Sequence, residues 1–526
     1  MLAIKKTAIR LMTLPPLVNM INGVVNTHPI ILTLHRQNCP ELGVFGHDNH
    51  TVKEYISFLL RHNYRIVSLD IIDAWLQSSD DVDMTNTVAF TFDDGYKDQA
   101  DMIRDVFLPM GVPASMFVIT DFLDGKDWSW DAKINWLIFN APNKKFSLML
   151  NNTTLDIDLD ENINQRHKAS KVLRDYIKYT SPQDMNRAIN DLAVAVNMEL
   201  PALPPACHQP VTWDEVRELE EQGIRFGSHS VNHYIFSTLD HSEAARQLSE
   251  SKKRINSELK YPLTVFCFPV GGRNDYTGRE LLLVPDAGYT SAVTMYPDVV
   301  KKSARTIGLS RFEISRYACP DNMEDFTQYV SWVERVKDIV RALSPVNYIN
   351  SHFGSKRGLQ SSIEIKINFL LGRYHTYEQV DWFKVKRLVF ICTGNVCRSP
   401  FAEAVAQENG MEAVSYGIKT DGRTPVNPSA SRAALFLGVN MTQHISRLFS
   451  PDKLRAGDLL IGMEPKHCSL LMAHDLPQGV QVSLLGLLNK RTKVPYLHDP
   501  YGLSDAYFKV CLGYIKETVG QFCVGS

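Results

Sequence analysis

Several things are missing from this chain of 526 residues. It has no run of 18 apolar residues, so no bilayer-spanning helix and no transmembrane segment are expected. It has no surplus of one charge. Its 56 basic and 58 acidic side chains leave a net of −2, which supplies no global field toward nucleic acid or an anionic membrane. It also lacks an even cysteine framework. Its nine cysteines, Cys39, Cys207, Cys267, Cys319, Cys392, Cys397, Cys468, Cys511 and Cys523, fall at irregular intervals. That excludes a disulfide-built secreted scaffold and suits reduced thiols in a reducing compartment. Lys5, Lys6 and Arg10 open the chain, but Pro15, Pro16, Asn19 and Asn22 interrupt the apolar core that a secretory signal needs. Residues 1–27 therefore read as an amphipathic N-terminal segment, and the expected location is cytoplasmic.

What is present is ordinary globular composition, 44% hydrophobic and 22% charged, which rules out collagen-like, disordered and coiled-coil classes. The length allows three or four compact units, or fewer if one is a barrel. Strands alternate with helices from the start. Ile30–Arg36 reads as a buried strand ending in a polar pair, Thr51–Leu60 as a helix, Arg65–Leu69 as a strand, and Val88–Phe92 as a strand stopping at Asp93-Asp94-Gly95. A helix to about Met110 and a strand Ala114–Ile119 follow. This spacing implies a parallel sheet or barrel. The rhythm pauses over about 140–210, which reads as an insertion with a charged helix near Gln165–Tyr179. It resumes with a helix from Trp213, a strand Ile224–Gly227, a helix Ser242–Leu259 capped by Asp240 or Ser242, and a strand Thr264–Phe268. The pattern weakens after Ser344, so residues 345–384 are read as a linker. A new strand, Leu388–Cys392, then feeds a loop and a helix from about Ser399.

Cys392-Thr-Gly-Asn-Val-Cys397-Arg398-Ser399-Pro400 carries the most chemistry. A loop before a helix N-terminus aims backbone N–H groups at one point and cradles an anion. A thiol in that cradle is favoured as thiolate, and Arg398 can grip two phosphate oxygens while Cys392 attacks phosphorus. Taken alone, Cys392 reads as a buried strand cysteine, as most apolar-flanked cysteines are. Near the C-terminus, His498-Asp499-Pro500-Tyr501 holds a carboxyl group extended, suited to protonating a leaving oxygen.

With Ser415-x-Gly417, His444-x-Ser446-Arg447 and Asp458-Leu-Leu-Ile-Gly-Met463, residues 385–526 resemble a low-molecular-weight protein tyrosine phosphatase over that family's whole length. The resemblance implies a smaller α/β three-layer domain with a central parallel sheet. It makes Cys392 the nucleophile, Arg398 the transition-state clamp, Asp499 the general acid and then base, and Ser399 a hydrogen-bond partner of the thiolate. Thr393, Gly394, Asn395, Val396 and Cys397 would complete the phosphate loop. Asn395 would hold its shape, and Cys397 would form a reversible disulfide with Cys392 on oxidation. Tyr416 stands where a small residue is usual and Gly502 where a second aromatic is usual. The same fold hosts arsenate reductases, which need a further cysteine pair; Cys468 has no near partner in sequence.

Thr91-Phe-Asp93-Asp94-Gly95 puts adjacent carboxylates at the C-terminal end of a predicted barrel strand, where chemistry gathers. Ser228-His229-Ser-Val-Asn-His233 offers two imidazoles at i and i+4, expected to share one face of a helical turn. Two imidazoles and a carboxylate make a divalent-metal site with an open position, and a second carboxylate can deprotonate water there. Singly, the first motif reads rather as a capping turn and the second as a surface pair; together they point to a metal site. His35 ends a strand and could face the same mouth.

Together with Gly111-Val-Pro-Ala-Ser, Trp128-Ser-Trp-Asp131 and Thr212-Trp213-Asp214, these residues resemble the NodB-like polysaccharide deacetylases over about 28–340. The resemblance implies a distorted (β/α) barrel spanning 28–344, with Asp93 as base and Asp94, His229 and His233 binding zinc or a similar divalent metal. The reaction would be N-deacetylation of an amino sugar in an N-acetylated glycan. Where that family often has an arginine orienting the base, this chain reads Phe266-Cys-Phe-Pro269-Val-Gly271. No Leu-x-His supplies an acid histidine either. The arginine is thus expected to be lost, which leaves a carbohydrate-binding shell as the alternative. The fusion of the two resemblances implies a bifunctional hydrolase of bacterial exopolysaccharide or capsule production. Its phosphatase would act on a phosphotyrosine protein such as a tyrosine kinase of polymer export.

Overall fold

The computed structural model describes residues 21, 28–79, 82–142, 144–150, 153–159, 162–302 and 309–522. Lys5, Lys6, Arg10, Asn151, Asn152 and Cys523 lie outside them. There are two compact units. The first holds the described residues through Tyr276 and then Glu280–Lys337; the second holds Thr277–Arg279 and those from Asp338 onward.

In the first unit, eight strands form one sheet: β1 (Ile30–Leu34), β2 (Arg65–Ile66), β3 (Thr87–Asp94), β4 (Ser115–Val118), β7 (Arg225–Ser228), β8 (Val265–Cys267), β9 (Ser291–Val293) and β10 (Tyr317–Ala318). The order is β10-β1-β3-β4-β7-β8-β9, with β2 beside the start of β3, and every pairing is parallel. The sheet closes through a parallel bridge between Val293 and Ile314. The result is the expected distorted (β/α) barrel. β1 and β4 are buried at every position, and β3 at all but its last, as a sheet covered on both faces requires. Parallel strands carry their C-terminal ends to one rim, so β1, β3, β7 and β8 deliver their following residues together.

Several boundaries shift. The strand expected over Arg65–Leu69 pairs only at Arg65–Ile66, because Leu69 already begins a helix (Leu69–Gln77). The strand expected over Val88–Phe92 in fact runs from Thr87 through Asp94. The helix starting at Trp213 is fixed by a capping box: Thr212 Oγ1 accepts from Glu215 N and Glu215 Oε2 accepts from Thr212 N. Asp240 caps helix His241–Glu258 by accepting from Glu243 N. The insertion contains an antiparallel hairpin, β5 (Lys145–Leu150) with β6 (Thr153–Asp158), and the helices Ile163–Ile177 and Pro182–Ala195. Its own core includes Ile134, Leu137, Leu173 and Leu192.

The second unit is built on four parallel strands: β11 (Arg387–Cys392), β12 (Ala413–Gly417), β13 (Asp458–Gly462) and β14 (Gln481–Leu484), in the order β12-β11-β13-β14. Helices Arg398–Glu408 and Asp505–Gly520 pack against its central core. Residues 345–384, read from sequence as a linker, are folded into this unit. They form helices Pro345–His352 and Lys356–Leu370 and short turns at His375–Tyr377 and Trp382–Lys384. Phe369, Tyr374 and Tyr377 cover Cys468, Leu484 and Leu487, and Ser483 Oγ donates to Tyr377 O at 2.6 Å. The segment thereby covers the outer edge of β14, an edge that would otherwise present unpaired backbone.

Candidate active sites

At the barrel rim, β3 ends in Asp93 and Asp94, with Asp94 held at φ 89° and Gly95 following at φ 89°. A positive φ at a non-glycine residue is strained and persists only where its surroundings hold it. Gln99 does the holding. Its Oε1 accepts from Gly95 N (3.1 Å) and Tyr96 N (3.0 Å), while its Nε2 donates to Asp93 O and to His35 O. Gln99 thus ties the end of β1 to the end of β3.

His229 and His233 do not share a helical turn. They lie on a bend after β7 in which Ser230 and His233 both adopt positive φ, 70° and 61°. The bend brings both Nε2 atoms to Asp94 Oδ1, at 3.5 and 3.4 Å. Each ring is oriented from behind: His229 Nδ1 lies 2.9 Å from Cys267 O, and His233 Nδ1 lies 3.1 Å from Ser129 Oγ. Both Nε2 atoms are therefore turned toward the carboxylate, as in metal-ligating histidines whose other ring nitrogen is held by a hydrogen bond. Metal bonds of ~2.0–2.1 Å at tetrahedral angles give donor–donor edges of roughly 3.3–3.4 Å, and the observed spacing fits. Burial lowers the basicity of both imidazoles, that of His229 to about 3, which keeps them neutral and able to ligate. Burial and then repulsion from Asp131 push the Asp94 carboxyl up to about 7. A bound cation would reverse that. The residues present fit a divalent metal.

The arginine expected to be lost is present elsewhere in the chain. Arg316, just before β10, donates Nη1 to Asp93 Oδ1 at 2.8 Å and Nη2 to Asp93 Oδ2 at 2.7 Å. Its remaining N–H groups meet Thr294 O, Thr91 Oγ1 and Cys267 Sγ. Neither side chain reaches solvent appreciably, at 0% and 4%. Burial works against the charge of Asp93, but the guanidinium outweighs it and holds the carboxyl well below the usual range. Sequence reading missed Arg316 because 223 residues separate it from its partner and no motif surrounds it. His35 is exposed at the rim and close enough to favour the charge of both aspartates.

In the second unit, β11 delivers Cys392 to a loop that opens helix Arg398–Glu408. Cys392 Sγ accepts from Asn395 N at 3.2 Å and lies 3.0 Å from Ser399 Oγ. Asn395, at φ 56°, is braced on several sides. Its Nδ2 donates to Ser399 Oγ (2.9 Å) and Ser415 Oγ (2.8 Å), and its Oδ1 accepts from Arg447 N (2.7 Å). Glu403 completes the support, accepting from Ser415 Oγ at 2.6 Å and pairing with Arg447. Gly417 explains the Ser-x-Gly spacing: a Cβ there would come within 2.9–3.0 Å of Gly394 C, Asn395 N and Thr393 O. The rest of the loop is tied through its backbone: Thr393 O accepts from Lys419 N, and Val396 O from Asn427 N. Thr393 Oγ1 lies 3.2 Å from His467 Nε2. Cys392 and Cys397 are free thiols, and burial pushes Cys397 well up.

Arg398 is fully buried. Its Nη1 donates to Glu464 Oε1 (2.7 Å) and Leu497 O (2.6 Å). Its Nη2 lies 2.7 Å from Asp499 Oδ2 but off the line of a hydrogen bond, and Nε and Nη2 have no hydrogen-bond partner. Buried donors left open in this way are the groups an anion would satisfy. Glu464, which sequence reading passed over, is held below the usual carboxylate range by Arg398 despite burial.

Comparison with known proteins separates the two units. The sequence profile of the low molecular weight phosphotyrosine protein phosphatases matches residues 387–524, and that of the polysaccharide deacetylases matches residues 159–292. The latter span includes His229 and His233 but not β3 with Asp93 and Asp94. The chain is 27% identical over 136 residues to the low molecular weight protein-tyrosine-phosphatase Etp of Escherichia coli K12, covering 26% of this chain and 90% of that protein. It is 39% identical over 79 residues to an arsenate reductase of Staphylococcus aureus, covering 14% and 58%. Among solved structures, the Erwinia amylovora tyrosine phosphatase AmsI matches at 25% identity and TM-score 0.24, over 26% of this chain and 91% of that one. The Streptococcus pyogenes deacetylase PplD matches at 13% identity and TM-score 0.37, over 58% and 99%. The chain carries a polysaccharide deacetylase region and a low molecular weight phosphotyrosine protein phosphatase region, both belonging to families of hydrolases.

Proposed function

We propose that the chain is a bifunctional hydrolase: a protein tyrosine phosphatase in its C-terminal unit and a metal-dependent deacetylase of N-acetylated glycans in its N-terminal unit. The observation that carries the first half is the loop around Cys392, where a backbone amide and Ser399 point at the sulfur while Arg398 keeps two donors open beside Asp499. Cys392 attacks phosphorus as thiolate, and the phosphorus–oxygen bond to tyrosine breaks. Asp499 gives its proton to the departing oxygen, and Arg398 binds the phosphoryl oxygens. The Asp499 carboxylate then takes a proton from water, which hydrolyses the cysteinyl phosphate and restores the thiolate.

For the second half, Asp94, His229 and His233 would hold a divalent ion, zinc by its donor set of two nitrogens and one oxygen. When bound, such an ion polarises the acetyl carbonyl and acidifies water. Asp93 accepts the water's proton, Arg316 fixes the carboxylate that accepts it, and His35 at the rim hands a proton to the leaving amine. Arg316 favours turnover over a mere binding shell, because the base retains its orienting cation. An arsenate reductase would need relay cysteines, whereas the Cys468 thiol is buried and donates to Ser483 O at 3.3 Å.

The glycan chemistry and the phosphatase chemistry on one chain support a role in bacterial exopolysaccharide or capsule production, with a phosphotyrosine protein, such as a tyrosine kinase of polymer export, as partner. Free thiols at all eight described cysteines suit a cytoplasmic location. Among the described residues no helix is long and apolar enough to cross a membrane. Aryl phosphate hydrolysis by the purified protein and by Cys392→Ser tests the phosphatase. Acetate release from N-acetylated glycans, with and without Asp93→Asn, tests the deacetylase.

A further inference from the structure

Helices Pro345–His352 and Lys356–Leu370 enclose a cavity of about 330 Å³ against the backbone of 493–497 and helix Asp505–Gly520. Six rings face it, those of Tyr348, His352, Phe353, Tyr496, Tyr507 and Tyr514, and the exposed Lys366 stands with them. Among the described residues Lys366 has no carboxylate partner, whereas the second lysine of the cavity, Lys493, is paired with Glu378. None of residues 392–399 lines it. A largely aromatic cavity of this size with one available cation suits a flat ring bearing a negative group.

The cavity wall is joined to the catalytic groups. Tyr496 Oη lies 2.7 Å from His498 Nδ1, Ser355 Oγ lies 3.3 Å from His498 Nε2, and Tyr507 Oη donates to His498 O at 3.1 Å. His498 directly precedes Asp499. Leu497, also in the wall, accepts from Arg398 Nη1 through its carbonyl. A ring wedged against Tyr496 and Tyr507 therefore presses on the backbone that positions both Arg398 and Asp499.

We propose that this cavity binds a small planar aromatic anion and that its occupancy regulates phosphatase turnover. The regulatory half rests on the phosphatase reading; the binding half does not. The test uses the full-length protein and the fluorescent anion 8-anilinonaphthalene-1-sulfonate, titrated with and without inorganic phosphate. The expected result is saturable binding to one site that phosphate does not displace. Binding persists in Cys392→Ser, weakens roughly tenfold in Lys366→Glu, and is lost in Ser362→Trp, which fills the cavity. In aryl phosphate assays the anion lowers kcat with KM little changed. Equal binding in both cavity variants, displacement by phosphate, or an unchanged kcat at saturation overturns the proposal. Lys366→Glu alters only an exposed helix position, so it decides the matter even if Ser362→Trp fails to fold. Retention of binding in Cys392→Ser separates failure here from failure of the phosphatase reading.

Discussion

Arg316 grips both oxygens of Asp93, at 2.8 and 2.7 Å, inside the barrel rim. A fork that matches a carboxylate in this way fixes its plane as well as its charge. Replacing Arg316 with methionine leaves a buried carboxylate without its partner, a loss of about 3–5 kcal/mol. Thermal unfolding of the first unit should move down accordingly. The Asp93 carboxyl, now held well below the usual range, should rise. Its depressed value contributes stability that is present above the ordinary carboxylate value of ~3.9 and lost as pH falls below it, so the variant, less stable to begin with, should lose less on acidification than the parent. Acetate release should fall at least as steeply.

Metal should stabilise the first unit through Asp94, His229 and His233. A ligand at ~100 times its Kd adds about 2.7 kcal/mol, seen as a rise in the first unit's Tm on adding zinc. Asp94→Asn and His233→Ala should remove both the rise and the stoichiometric metal measured after dialysis. An equal rise in the variants would place the ion elsewhere.

Acid should weaken the second unit before its carboxylates titrate. Burial holds His467 neutral down to about 3, while the unfolded chain protonates it near the ordinary histidine value of ~6.5. The unfolded state thus binds more protons across that window, so stability falls as pH drops from ~6.5 toward 3. Calorimetry on His467→Gln should show a flatter acid limb for the second unit only.

Asn395→Ala should cripple the phosphatase without touching its nucleophile. The side chain joins Ser399, Ser415 and the Arg447 amide, and φ 56° is a conformation alanine resists. The expected result is a fall in kcat of roughly 10–100-fold, the range for a misplaced reacting group, with phosphate binding weakened in parallel.

Local chemistry was legible in the sequence and long-range pairing was not. The loop from Cys392 to Ser399 and the Asp93-Asp94 pair are contiguous, so residue type and spacing carry them. His229 and His233 were legible as a pair, but not the bend that joins them, because positive φ at Ser230 and His233 leaves no compositional trace. Arg316 was invisible for a simpler reason: its strand meets β1 only after the barrel closes. The helix Lys356–Leu370 was hidden by its own surface, since Ile363, Ile367 and Leu370 are exposed and blur the periodicity that marks a buried face.

In the proposed phosphatase reaction Cys392 carries the phosphoryl group between two steps. Rapid quenching during aryl phosphate turnover, followed by peptide mass analysis, tests it directly. A phosphoryl group is expected on the Cys392 peptide, longer-lived in Asp499→Ala and absent in Cys392→Ser. A phosphoryl group on another residue, or undiminished hydrolysis by Cys392→Ser, would contradict it.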